Sequence, residues 1–225
     1  MIRFDNHAFK GLDDSLKQLY ADLMAMGDGA KQLLAMLPRA IESADAELFA
    51  QAKEVDKRVN DIEVRVDASV AAIINKFTVM GEDLRFILAA VKIASTQERA
   101  ADKLKNCVKR LSRVHQPIEA QVQVELRQAV QALDAMLPLA LGLVLDYTPE
   151  TTMQLLQHGA VVQKAYRTIL IHLHAHQSSA DDETHILLIA KNLEQTADMM
   201  VEIMKISHYV HVGTKYDKRA NAVTD

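Results

Sequence analysis

The chain has 225 residues, 30 acidic against 26 basic side chains for a formal net charge of -4, and 4% aromatic residues with no Trp. That length serves one large domain or two small ones with a real core, and the scarcity of Gly (7) and Pro (4) fits helices rather than sheets. Interspersed charges exclude the basic footprint of a nucleic-acid binder, and the single Cys107 excludes an intrachain disulfide framework and suits a reducing compartment.

The first twenty residues include Arg3, Asp5, Lys10, Asp13 and Asp14, with no apolar stretch of signal-peptide length. The expectation is an all-α, soluble, cytoplasmic protein. From about Phe4 to Ala44, the positions Leu12, Leu16, Leu19, Leu23, Met26, Leu33, Leu37 and Ile41 recur at spacings of mostly three and four, as on a long amphipathic helix. Gly27, Gly29 and Pro38 are its interruptions, and a kink before Pro38 is expected rather than a stop. Ser43, Ala44 and Asp45 make the turn.

A second helix follows from about Ala46 to Thr78, with Leu48, Val55, Val59, Ile62, Val66, Val70, Ile73 and Phe77 inward. Met80-Gly81 is the next break. The third helix, about Glu82 to His115, carries Leu84, Ile87, Leu88, Val91, Ala94, Ala101, Leu104, Val108 and Leu111 inward, and Gln116-Pro117 ends it. Cys107 shares a stripe with Leu104 and Leu111 and reads as a small core residue.

The plan then starts again. Helix four, about Pro117 to Tyr147, contains Ala135-Met136-Leu137-Pro138, the tetrapeptide already met at Ala35-Met36-Leu37-Pro38. Its apolar run Ala135 to Leu145 is too short to span a bilayer. Thr148-Pro149 separates it from helix five, about Glu150 to His176. Gln177 to Ala180 with Asp181 supply the turn and N-cap for helix six, about Asp182 to Val212. The reading is two pseudo-symmetric three-helix bundles, residues 1–116 and 117–225.

The second landmark of the repeat is chemical. Ile93-Ala94-Ser95-Thr96-Gln97-Glu98-Arg99-Ala100-Ala101-Asp102 is echoed 96 residues on by Ile189-Ala190-Lys191-Asn192-Leu193-Glu194-Gln195-Thr196-Ala197-Asp198. Glu98 and Asp102, like Glu194 and Asp198, stand four apart on one helix face. A lone pair of this kind is usually a solvated face; its recurrence in both halves is what points to ligands for a hard or borderline cation, given further donors from a neighbouring helix.

Asp83-Leu84-Arg85-Phe86-Ile87-Leu88-Ala89-Ala90-Val91-Lys92-Ile93-Ala94, running into Glu98 and Asp102, resembles the most characteristic stretch of the PhoU family, accessory regulators of bacterial phosphate transport and phosphate signalling. Leu187-Leu188-Ile189-Ala190-Lys191-Asn192-Leu193-Glu194 and the closing Tyr209-Val210-His211-Val212-Gly213 are similar to its second half. The resemblance implies two three-helix bundles whose acidic motifs hold iron or zinc in some members, with further acids on the second helix of each. It places the first set at Asp56, Asn60, Glu98 and Asp102, and leaves Glu194 and Asp198 in the second half, where Gly159 and Gln163 stand at the positions of the missing acids. Ala101 and Ala197 replace a common Gly. It also implies a homodimer and peripheral contact with two membrane partners, a phosphate ABC transporter and a sensor histidine kinase held off when phosphate is ample.

Of the nine histidines, His172, His174 and His176 stand closest, and only His172 and His176 share a helix face. They read as a polar helix end with favourable dipole contacts. No Ser/His/Asp or Cys/His arrangement, CxxC or phosphate-cradling Gly-rich loop occurs, so nothing argues for an enzyme. Three readings stay open: a regulatory adaptor, a carboxylate-bridged metal store or oxidase, and a helical module without ligand. The oxidase reading lacks a His three residues after either motif Glu.

Overall fold

A computed structural model describes residues 2, 4, 10–43, 46–175 and 180–217. It has six helices: α1 Lys10–Glu42, α2 Ala46–Lys76, α3 Gly81–Leu111, α4 Ala120–Leu145, α5 Pro149–Ala175 and α6 Ala180–Val212. No strand occurs among the described residues. The turn at Ala44 and Asp45, and the one from Gln177 onward with His176, lie largely outside the described residues.

Within each half the three helices pack on one another: α1, α2 and α3 in the first, α4, α5 and α6 in the second. The halves meet through α3 against α6 and α1 against α4, while α2 and α5 stay with their own halves. Helices α1 and α2 run antiparallel, and so do α3 and α6. On α1 and α2, Asp22 meets Arg65 and Gln32 meets Arg58; on α3 and α6, Arg85 meets Val210, Arg99 meets Glu202 and Cys107 meets Ile189. The repeated landmarks fall on corresponding helices, Ala35–Pro38 and Ala135–Pro138 on α1 and α4 and the two acidic decads on α3 and α6. The division at residues 116 and 117 falls between α3 and α4, yet the buried core continues from one half into the other.

The apolar stripe of α1 is the innermost layer: Leu16, Leu19, Leu23, Met26 and Leu33 are all fully buried. The helix runs on through Pro38, as α4 does through Pro138. Gly27 and Gly29 do not interrupt α1; they let neighbours in. A Cβ on Gly27 would lie 2.3 Å from Leu141 on α4, and one on Gly29 would lie 2.5 Å from Val59 on α2. The break before α3 is a true glycine position, since Gly81 has φ +60, a backbone region costly to any side chain with a Cβ.

Two expectations need correction. Leu88, placed inward by its spacing, is 50% exposed. Helix α4 is long and apolar enough by length and composition to cross a membrane, although its longest uninterrupted apolar run is short; half of the stretch that qualifies is buried inside the protein against α1, α5 and α6.

Candidate functional site

Helices α2 and α3 bring together three of the expected residues. Asp56 projects from α2, and Glu98 and Asp102 from α3, in a layer that is neither fully buried nor fully exposed. At their centre stands a side chain the sequence reading passed over. Lys105 Nζ donates to Asp102 Oδ1 at 2.7 Å and to Asp56 Oδ2 at 2.9 Å, with the lysine side chain 18% and Asp56 13% exposed. Asn106 Nδ2 donates to the other oxygen of Asp102 at 3.0 Å, whereas Asp56 Oδ1 is buried without a hydrogen-bonding partner among the described residues.

Charge is tightly managed here. Burial opposes the ammonium of Lys105, but its hydrogen bonds to Asp102 and Asp56 prevail and hold its pKa above the ordinary lysine value. The Glu98 carboxyl is pushed up, first by burial and then by the negative charges of Glu63, Asp102 and Asp56, with Lys105 pulling the other way. Glu63 is a second residue the sequence reading missed. It lies seven positions after Asp56, two turns along the same face of α2, and that spacing is the signal that could have found it. Asn60 is exposed.

The second half is built differently. Glu194 Oε2 accepts from Lys191 Nζ at 2.7 Å, and that ammonium also lies 5.2 Å from the centre of the Tyr166 ring. Asp198 is exposed; its pKa is raised by partial burial of the carboxyl and then by Glu194. Gly159 and Gln163 do face this motif, lining with Asp198 and Val201 a cavity of about 390 Å³. Tyr216 is another wall of that cavity. The turn at Gly213, φ +80, follows the end of α6 and leads the chain to that tyrosine.

The motifs assigned to separate bundles also share one opening. A cleft of about 520 Å³ between α3 and α6 is lined by Glu98, Asp102, Asp198 and Glu202 together with Arg99 and Lys103. Arg99 crosses it to Glu202 at 3.2 Å. The antiparallel pairs Cys107–Ile189 and Arg99–Glu202 bracket the level at which Ala100 comes opposite Thr196, its own repeat counterpart, and both are buried.

As they stand, these side chains are not a metal-ligand set. Zinc needs oxygens or nitrogens about 2.0–2.2 Å from one point; Lys105 Nζ instead holds Asp56 and Asp102 at hydrogen-bond distance. Among the described residues, no three His, Cys, Asp or Glu side chains converge as a group able to hold an ion. His172 Nε2 lies 2.6 Å from Glu119 Oε2, tying the end of α5 to the start of α4, and His176, on the same helix face, lies outside the described residues. Cys107 is fully buried at the α3–α6 interface, its thiol 3.7 Å from the Ile189 carbonyl oxygen and pushed up to about 12 by burial, so it is a core residue and not a nucleophile.

Comparison with known proteins places this arrangement. The family model described as PhoU domain matches residues 23–111. The chain is 25% identical over 217 residues to the phosphate-specific transport system accessory protein PhoU homolog of Zymomonas mobilis, covering 95% of this chain and 92% of that protein. It is 26% identical over 217 residues to the homolog of the same name from Rhizobium meliloti, covering 93% and 90%. Among solved structures, PhoU from Pseudomonas aeruginosa superposes with a TM-score of 0.80 at 21% identity, covering 90% of this chain and 99% of that one. The phosphate transport system regulatory protein PhoU from Streptococcus pneumoniae gives 0.80 at 20%, covering 91% and 99%.

Proposed function

Because the chain belongs to the PhoU family, we propose that it is an accessory protein of a phosphate-specific transport system, acting as an adaptor between that transporter and a sensor histidine kinase and keeping the starvation response off when phosphate is ample. The observation that supports this reading is the match, along more than nine-tenths of the chain and through both halves, to relatives named as phosphate-specific transport system accessory proteins. The protein works by contact and turns over no substrate, in the cytoplasm and against the inner face of its membrane partners.

An adaptor needs apolar surface that a partner can cover. The α3–α6 face has it: Leu88 and Tyr209 stand exposed over a cavity of about 490 Å³ whose rim includes Lys92, Lys205 and Lys215. Apolar anchors flanked by three lysines, with Glu202 the one acid in the lining, suit a partner segment that carries apolar and acidic side chains.

Deleting the gene and following a phosphate-starvation reporter in phosphate-rich medium tests the reading. Expression should stay high in the deletion strain and return to the repressed level on complementation. Unchanged repression in the deletion strain would remove the regulatory role, and ferroxidase activity in the purified protein would favour a metal store or oxidase.

A further inference from the structure

We propose that Lys105 is a tethered cation that occupies the first acidic motif in place of a metal ion, so that this half of the chain closes its carboxylate site with its own ammonium group. The inference is independent of the phosphate-signalling role.

Three observations carry it. The first is geometric: one ammonium lies 2.7 Å from Asp102 and 2.9 Å from Asp56, between carboxylates contributed by two different helices. A divalent ion bound to the same oxygens would have to sit where Nζ is, and at contact distance the two positive charges would repel. Occupation by one excludes the other.

Burial is the second observation. The Lys105 and Asp56 side chains are largely withdrawn from solvent, unlike the long, exposed ion pairs that contribute little. A lysine stem is flexible and could reach water; here it is turned inward to the acids instead.

The repeat supplies the third. The position equivalent to Lys105, at the same offset of 96 that relates Glu98 to Glu194, is Val201. The family resemblance sets Gly159 on α5 at the place of Asp56, and Gly159 and Val201 line one cavity in the second half. At these two positions acid and lysine are thus present together in one copy and both replaced in the other, where Lys205, one turn further along α6, lines the cavity instead. A lysine present only for solubility would have no reason to go with the acid on another helix; a counterion would.

The test uses the full chain, stripped with a chelator and titrated separately with Mn2+, an ion that favours oxygen donors, and with Zn2+. Binding is read by equilibrium dialysis with elemental analysis, and stability by thermal melting. Wild type and Asp102→Asn should take up the same amount of either ion, since the histidines are common to both. Lys105→Met, which keeps the stem and removes the charge, should gain one ion per chain, bound about tenfold or more tighter than any wild-type site, with a rise in Tm on adding Mn2+. Adding Asp102→Asn to Lys105→Met should abolish both gains. Where Lys105→Met is too unstable to purify without metal, Lys105→Gln is measured in its place. One ion bound by the wild type and lost in Asp102→Asn would overturn the proposal, as would a neutral variant that folds and binds no more metal than wild type.

Discussion

Asp182 Oδ2 accepts the backbone N–H of Gln116 at 3.1 Å across 66 positions of sequence, while its other oxygen accepts the neighbouring N–H of His115 at 3.0 Å. One buried carboxylate in the first turn of α6 thus fixes the segment that joins the two halves. Charge-assisted bonds of this kind are stronger than neutral ones. Asp182→Ala should lower unfolding stability by about 2 kcal/mol, read from the urea midpoint. A loss no larger than that of an exposed substitution would show that the joint is held by something else.

Stability should also report on the first acidic motif. Glu98 has a pKa raised above 4.5 in the folded protein, so the folded state holds its proton more tightly than the unfolded chain. Its contribution is therefore fully present below pH 4.5 and is lost as the pH rises through the raised value. Glu98→Gln removes this dependence. Relative to wild type, the variant should gain stability as the pH climbs through that window, and the difference should level off above it. Parallel pH profiles for the two proteins would contradict the assignment.

Gln97 is buried in α3, and neither atom of its amide has a hydrogen-bonding partner among the described residues. Its counterpart in the second half is Leu193, also buried. A buried polar group without a partner costs about 1–3 kcal/mol, so Gln97→Leu should raise the urea midpoint with an unchanged slope. A lower midpoint would mean that the amide is satisfied in solution.

The apolar patch on the α3–α6 face separates function from folding. Leu88→Glu and Tyr209→Ala remove exposed anchors and should leave Tm within a few degrees of wild type, since such surface changes usually stay within about 0.5 kcal/mol. In cells both should reproduce the reporter phenotype of the deletion. Normal repression with both variants present at wild-type levels would move the contact surface elsewhere.

How much of this could be read beforehand depends on what each feature requires. The helices and the repeat follow from local periodicity and two paired landmarks, which need no tertiary information. Leu88 shows where that reasoning gives out: α3 packs against α1, α2 and α6, so its apolar residues serve three directions, and spacing alone does not show which one is left open. The ion pair of Lys105 with Asp56 was invisible for a related reason, since it depends on the alignment of α2 against α3 across 49 positions of sequence. Gly159 and Gln163 were located through family resemblance, and both line the cavity beside Asp198. Glu98 and Asp198 share the α3–α6 cleft because those two helices pack antiparallel across the halves, a relation that neither half expresses alone.

The contrast between Asp56 with Lys105 and Gly159 with Val201 has a consequence for how the duplicated copies drift apart. A buried acid without its base, or a base without its acid, is strongly disfavoured, so evolutionary paths that change only one of them pass through a penalised intermediate. Across relatives, the two positions should therefore covary, exchanging between a charged pair and a neutral pair, and lineages that keep the acid while replacing the lysine should be those that have recruited a metal.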